Sequence, residues 1–136
     1  MIYEYDLVVP LNTLEASPAS VEMKLCHGIV HKLEVTFPPG CHNAVKVVVR
    51  RALHQVWPTN PDGQLKANGY TISYPVWYEL EEAPYILTAW AWSPGTTYSH
   101  TITIRLGIQR REILQPGQEE RGIIKRLGAL ILGRRA

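Results

Sequence analysis

The strand pattern of the chain is clearest between residues 29 and 37, which read IVHKLEVTF. In an extended segment alternate side chains share one face, so the apolar residues would lie on one side and the charged ones on the other. Gly28 precedes this segment and PPG follows it at residues 38–40, and these residue types are typical of strand ends and turns. The segment therefore predicts a half-buried β-strand. Its predicted inward face consists of Ile29, His31, Leu33, Val35 and Phe37.

The same alternation recurs along most of the chain. Further strands are predicted at residues 3–9, 21–25, 44–51, 70–74, 85–92 and 101–108, and residues 53–57 either continue the strand at 44–51 or begin a short new one. Turn residues separate them at spacings of roughly 8 to 12 residues, which favours an all-β fold, an antiparallel β-sandwich or jelly roll of about seven or eight strands. Pro75 is expected to interrupt the strand that begins at Tyr70. Residues 85–92 are apolar on both faces, which predicts a central strand.

The C-terminal part of the chain has a different period. Residues 118–132 carry apolar side chains at helical spacing, which predicts an amphipathic α-helix. Pro116 and Gly117 separate this helix from the rest. We therefore divide the chain into a β-sandwich domain at residues 1–109 and a basic C-terminal arm at residues 110–136. The arm holds seven basic and three acidic residues, a net charge of +4, whereas the domain has a net charge of −2.

Composition excludes several classes of protein. The chain has 136 residues, of which 46% are hydrophobic and 19% charged, so it can form one compact domain and is not predicted to be disordered. The longest apolar stretch of the arm is shorter than the roughly 20 residues that cross a bilayer. The first ten residues lack the pattern of a signal peptide, so we expect synthesis in the cytoplasm.

Cysteine and histidine side chains are the first candidates for a chemical site. The pairs Cys26-His27 and Cys41-His42, with His31 between them, contain zinc-ligand types, but their spacing matches no zinc knuckle or ribbon. A disulfide between the two cysteines is an open alternative. We predict no metal and no cofactor.

Catalytic patterns are also weak. Ser99-His100 lacks a nucleophile-elbow glycine pattern, and the acids Glu79, Glu81 and Glu82 are interpreted as a solvated loop and not as a glycosidase carboxylate pair. No phosphate-binding glycine loop is present. The sequence therefore predicts a protein that is not an enzyme and has no small-molecule substrate.

Aromatic residues offer two interpretations. Trp77, Tyr78, Trp90 and Trp92 could form a stacking platform for sugars, which makes a carbohydrate-binding module the alternative function. Trp and Tyr are also enriched in cores and subunit contacts. We favour the second interpretation and place Trp90 and Trp92 at an interface.

The basic amphipathic helix also has several interpretations. Such a helix can lie on an anionic membrane surface, neutralise nucleic-acid phosphates or dock on a neighbouring subunit. We favour docking on another copy or on another shell protein, because each buried apolar side chain would contribute about 1.5 to 3 kcal/mol before ordering costs. The predicted partner-binding residues are Ile123, Ile124, Leu127, Leu130, Ile131, Arg121, Lys125, Arg126, Trp90 and Trp92.

Four short segments carry a resemblance to a known class of proteins. They are HGIVH at residues 27–31, FPPG at 37–40, WPTNPDG at 57–63 and NGY at 68–70. Through them, residues 27–105 resemble small β-sandwich components of tailed-phage virions and phage-derived particles. The resemblance implies a virion or particle-associated structural protein, a capsid-decorating, capsid-building or tail-associated subunit present in many copies. It assigns no site residues.

Overall fold

A computed structural model describes residues 1–115 of the chain. They form eight β-strands and one short helix. The elements are β1 (Ile2–Val9), β2 (Ala19–Lys24), β3 (Gly28–Phe37), β4 (Lys46–Arg51), β5 (His54–Trp57), β6 (Tyr70–Leu80), β7 (Ile86–Trp92), β8 (His100–Gln109) and α1 (Arg111–Leu114). The predicted all-β class is confirmed, and each predicted strand has a counterpart in this set.

The strands pair in two antiparallel sheets. The first sheet has the order β1-β8-β3-β6, and the second has the order β2-β7-β4-β5. Consecutive strands lie in different sheets at every step except β4 to β5, which pair with each other. Strand β7 lies between β2 and β4, so its predicted central position is confirmed.

One hydrophobic core is built by both sheets. In β1 the side chains of Leu7 and Val9 are buried while their neighbours are exposed, which is the period of two that the sequence indicates. The second sheet contributes Met23, Leu87 and Ala89 to the same cluster. The two sheets therefore pack face to face in a sandwich-like arrangement.

The predicted inward face of β3 is wrong at its first two positions. The pairing register shifts between Val30 and Lys32 against both β6 and β8, which is the signature of a β-bulge. Because of this shift, the side chain of Val30 points into the core cluster. Ile29 is buried but does not belong to that cluster, and His31 is half-buried. A Cβ atom at Gly107 would lie 3.1 Å from the His31 ring, so the small residue leaves room for the bulge.

The prediction that Pro75 interrupts its strand is also wrong. Strand β6 continues through Pro75 to Leu80 and includes Glu79, which the sequence assigned to a loop. Among residues 1–115, the strand lies at the edge of the first sheet and β3 is its one partner strand. Because one side of an edge strand has no partner strand, the missing N–H of proline costs no ladder hydrogen bond there.

The predicted helix at residues 118–132 lies outside the described residues. Within residues 1–115 the structure has α1, a one-turn helix that the sequence did not predict, directly after β8. No helix in this range is long and apolar enough to cross a membrane.

Candidate functional site

A cleft of about 450 Å³ lies beside the two edge strands β5 and β6. Side chains from β6 form one wall, and the end of β5 with the loop that follows it forms the other. The residues that define this aromatic cleft are Trp57, Pro58, Leu65, Tyr74, Pro75 and Trp77.

The aromatic side chains of the cleft differ in their exposure. Tyr74 is 50% exposed and Trp77 is 45% exposed, whereas Trp57 belongs to the core and forms the inner end of the cleft. The rings of Trp57 and Tyr78 meet edge to face with their centroids 5.8 Å apart. Trp and Tyr supply large contact areas and a polar atom, so partly exposed rings beside a buried one are typical of a binding surface.

The wall formed by the loop after β5 is held by hydrogen bonds. The side-chain amide of Gln55 donates to the carbonyl oxygens of Pro58 and Asn60 at 2.8 and 3.0 Å. Further along the loop, Val47 and Leu65 exchange two backbone hydrogen bonds of 2.9 and 2.8 Å. These contacts fix the loop before any partner binds.

A charged cluster lies at one lip of the cleft. The Arg111 guanidinium approaches Glu79 at 2.5 Å and Glu81 at 3.0 Å, and it lies 5.8 Å from the centre of the Trp77 ring. The Trp77 indole N–H also donates to Glu79, at 3.3 Å. Hydrogen bonds from Arg111 and Trp77 lower the pKa of the Glu79 carboxyl, and hydrogen bonds to Glu79 and Glu81 raise the pKa of Arg111.

The same charged cluster includes the start of the C-terminal arm. Arg111 is the first residue of α1, and the described chain ends at Gln115, one residue after that helix. Arg111, the second residue of the arm, therefore lies beside Trp77, which belongs to the cleft itself.

The predicted partner-binding residues fall into two groups. Trp90 and Trp92 lie on β7 in the middle of the second sheet. Trp92 is only 5% exposed, and the indole nitrogen of Trp90 is buried without a hydrogen-bond partner within residues 1–115. Their role at an interface stays a prediction. The other eight predicted residues, at positions 121–131, lie outside the described residues.

The aromatic residues considered as a sugar platform do not lie in one sheet. Trp77 and Tyr78 are on β6 of the first sheet, whereas Trp90 and Trp92 are on β7 of the second. Sequence analysis missed the contribution of Trp57 to the cleft, because no local pattern connects it with Trp77. The only signal available was the general enrichment of Trp in binding surfaces.

The cysteine and histidine candidates remain separate. Cys26 and Cys41 are free thiols, so they do not form the disulfide considered above. Contact with the Cys26 thiol raises the pKa of Tyr3, and burial raises the pKa of the Cys41 thiol. Among residues 1–115, no three His, Cys, Asp or Glu side chains are grouped as metal ligands.

The chemistry of the cleft suits binding of an apolar segment. None of its defining side chains is charged, whereas acidic groups lie at its lip near Trp77. An uncharged aromatic surface of this kind favours a partner with an apolar stripe. Neither a protein-family model nor a curated protein sequence matches this chain.

Proposed function

We propose that the protein is a non-enzymatic structural subunit that assembles in many copies, with the C-terminal helix of one copy bound in the aromatic cleft of another. The observation that carries this proposal is the position of Arg111, the second residue of the arm. It lies beside Trp77, at the lip of a cleft whose side chains are aromatic, apolar and partly exposed. Exposed aromatic residues next to a buried ring are the usual anchors of protein interfaces.

The strand order supports a structural role. Two four-stranded sheets with the orders β1-β8-β3-β6 and β2-β7-β4-β5 are the arrangement expected of an eight-stranded jelly roll. Jelly rolls occur in viral capsid proteins and in lectins, so the fold alone does not choose a function. The resemblance of residues 27–105 to virion components favours a virion or a phage-derived particle. A capsid-decorating, capsid-building or tail-associated position fits equally well.

The arm and the cleft are complementary in chemistry. Residues 118–132 are predicted to form a helix about 22 Å long with one apolar stripe. The arm has a net charge of +4, and its own Arg111 already pairs with Glu79 and Glu81 at the lip of the cleft. A basic amphipathic helix can bury its apolar side chains in the cleft and keep its charges in solvent.

The short connection favours exchange between copies. Only residues 115–117 separate α1 from the predicted helix, and they include Pro116 and Gly117. Short connections restrict how a segment can fold back and favour swapping of identical elements between subunits. Two copies that face each other can thus exchange their arms.

The proposal is tested by measuring the mass of the full chain in solution. We expect an oligomer, and we expect Trp77→Ala and Leu127→Asp each to weaken association on the order of tenfold or more. Tyr70→Ala is the matched control, because Tyr70 is exposed on the same strand but does not belong to the cleft. A full chain that stays monomeric at high concentration would overturn the proposal.

Mixing the two variants separates exchange from docking within one copy. Trp77→Ala keeps its arm intact, and Leu127→Asp keeps its cleft intact. If arms bind neighbouring copies, an equimolar mixture regains one intact contact and associates more strongly than either variant alone. No gain on mixing would mean that each arm binds its own cleft, which contradicts assembly by exchange.

Carbohydrate binding is the second candidate function. It is favoured by Tyr74 and Trp77, whose exposed rings can stack on the apolar face of a sugar. Binding to a glycan array that is lost in Trp77→Ala and retained in Tyr70→Ala would support it. No binding to any glycan would exclude this role for the cleft.

A further inference from the structure

Strand β2 leaves one of its edges unpaired. Within residues 1–115, its one partner strand is β7. The backbone N–H of Leu25 donates to the carbonyl oxygen of Tyr85 at 2.8 Å, so these two residues form a hydrogen-bonded pair at the end of the β2–β7 ladder. Hydrogen-bonded and non-hydrogen-bonded pairs alternate along an antiparallel ladder, and the backbone groups of Glu22 and Lys24 therefore point away from β7. Such an edge can pair with a further strand.

The first sheet makes one contact with this edge. The Tyr5 hydroxyl donates to the carbonyl oxygen of Lys24. A carbonyl oxygen has two lone pairs and can accept a second hydrogen bond. The contact therefore joins the edge to β1 and leaves one lone pair of that oxygen for another strand.

The outward face of β2 carries one acid and one base. Glu22 and Lys24 are both exposed, and within residues 1–115 neither forms an ion pair with another side chain. They are two residues apart, so their side chains lie on the same face of the sheet. If two copies of β2 run antiparallel with Met23 opposite its own counterpart, Glu22 lies opposite Lys24 of the second copy. The two-fold symmetry forms this pair twice.

Both the backbone and the charges favour this register. The residues that it places opposite each other, Glu22 and Lys24, are those whose backbone groups face the open edge, so they can exchange hydrogen bonds across the contact. A shift by two residues would place Glu22 against Glu22 or Lys24 against Lys24, and like charges directly opposite each other are destabilising. On the inner face, the register sets Val21 opposite Leu25 of the second copy. Both are only half-buried within one copy, so the contact would cover apolar surface.

The other edges of the two described sheets are less suited to pairing with their own copies. In β6, Pro75 lacks the N–H that a further strand would need. The only charged side chains of β1 are those of Glu4 and Asp6, so self-pairing would bring acids together. Strand β5 has four residues, and its register against β4 shifts between Val49 and Arg50. Strand β2 is thus the edge strand whose charges complement those of its own copy.

We propose that β2 binds the β2 strand of a second copy of this chain in an antiparallel pair, which joins the second sheets of both copies into one continuous sheet. Pairing of Glu22 with Lys24 of the second copy fixes the register. The contact uses neither the arm nor the aromatic cleft, so it adds a second interface to the one proposed above and stands without it. Subunits with two different interfaces can form assemblies larger than a dimer.

The test measures the mass in solution of the full chain that carries Leu127→Asp, a change in the arm, by analytical ultracentrifugation over a range of concentrations. This background removes the proposed exchange of arms, and we expect it to form a dimer. Added to it, Glu22→Lys or Lys24→Glu should each weaken the dimer on the order of tenfold or more, because both attractive pairs become repulsive. The double variant, Glu22→Lys with Lys24→Glu, exchanges the two charges and should restore association.

Mixing the two single charge variants tests the register directly. One variant then carries only bases at these positions and the other only acids, so both pairs are attractive between unlike copies alone. We expect the mixture to associate more strongly than either variant by itself. Glu15→Lys and Lys66→Glu are the matched controls, because these exposed residues lie outside β2 and the changes alter the net charge by the same amounts. They should leave association unchanged.

The outcomes for the two proposed interfaces are separate. A Leu127→Asp chain that stays monomeric at high concentration would mean that the charges of β2 keep this edge unpaired, and it would overturn the proposal. A dimer that responds no more to the β2 changes than to the controls, or an absence of recovery in both the double variant and the mixture, would overturn it as well. The arm is judged by the effect of Leu127→Asp on the mass of the otherwise unmodified chain. A charge-sensitive dimer in the Leu127→Asp chain supports pairing of β2 whether or not arms are exchanged.

Discussion

The outer faces of the two sheets differ in chemistry although the sheets have the same number of strands. The outer face of the first sheet is polar. Arg105 approaches Glu4 at 3.3 Å and Glu34 at 3.9 Å, Lys32 approaches Glu34 at 2.9 Å, and all these side chains are at least partly exposed. This is the usual form of a sheet with one face on the core and the other in water.

The outer face of the second sheet is apolar at its centre. Val48 and Trp92 are 1% and 5% exposed, yet neither belongs to the core cluster between the sheets. Val48 on β4 is paired with Trp90 on β7, whose indole nitrogen is buried as well. The second sheet thus buries apolar side chains on its outer face at β4 and β7. Substitutions there should lower the free energy of unfolding far more than substitutions on the polar outer face of the first sheet.

Truncation of Trp92 should cause the largest loss in the free energy of unfolding. We expect Trp92→Ala to lower the free energy of unfolding by about 3 to 5 kcal/mol, because a large buried side chain is replaced by a cavity. Chemical denaturation measures the loss. Tyr70→Ala, at an exposed aromatic residue, is the control. A loss below about 1 kcal/mol would mean that Trp92 is exposed in solution, and the two faces would then be alike.

A hydroxyl group gained on one outer face and lost on the other should sharpen the comparison. Val48→Thr keeps the shape of the side chain but buries an oxygen, so we expect a loss of about 1 to 3 kcal/mol in the free energy of unfolding. The reverse change on the first sheet, Thr101→Val at an exposed position, should change it by less than about 0.5 kcal/mol. Equal effects at the two positions would contradict the difference between the faces.

Loss of the central charge on the first sheet should have a small effect. We expect Arg105→Ala to lower the free energy of unfolding by less than about 1 kcal/mol, because solvent screens ion pairs between exposed side chains. The free energy of unfolding of this variant should also depend less on salt concentration than that of the unmodified protein. Thermal unfolding at low and high salt measures both. A loss of several kcal/mol would show that this face is covered too.

Protonation of Glu79 should produce the smallest change. Hydrogen bonds from Arg111 and Trp77 lower its folded-state pKa, so this contact stabilises the protein above the ordinary Glu pKa of about 4.3. The contribution is lost as the pH falls through the lowered pKa. Tryptophan fluorescence followed from neutral to acidic pH should report the release of Trp77, and the transition should move to higher pH in Arg111→Gln. An unchanged transition in that variant would mean that Arg111 does not hold the carboxylate.

Much of the strand content follows from local patterns. Alternating residues such as those of β1 and β8, together with glycine and proline between them, predict where strands lie because side-chain direction in a strand depends only on the residue's own position. The same reasoning placed β7 in the centre of a sheet, since its residues are apolar on both faces. It failed at His31 and Pro75, where the outcome depends on the neighbouring strand.

The candidate sites were less predictable. Trp57 and Trp77 lie on different sheets, and only the packing of β5 and β6 brings them to one cleft. His100 and Cys41 lie far apart in the sequence and share a cavity because two loops meet at the ends of their strands. No local period carries this information.

The amino-acid sequence by itself determined the all-β class, the positions of the strands and the contrast between a weakly acidic domain and a basic arm, because these depend on composition and on the direction of neighbouring side chains. The tertiary structure decided which strands lie at the edge of a sheet and where the bulge of β3 changes which side chains face the core. It also decided which aromatic and histidine side chains line the same cavity. Those features arise from pairing between distant segments, and the free energy of such pairing depends on all the partners together.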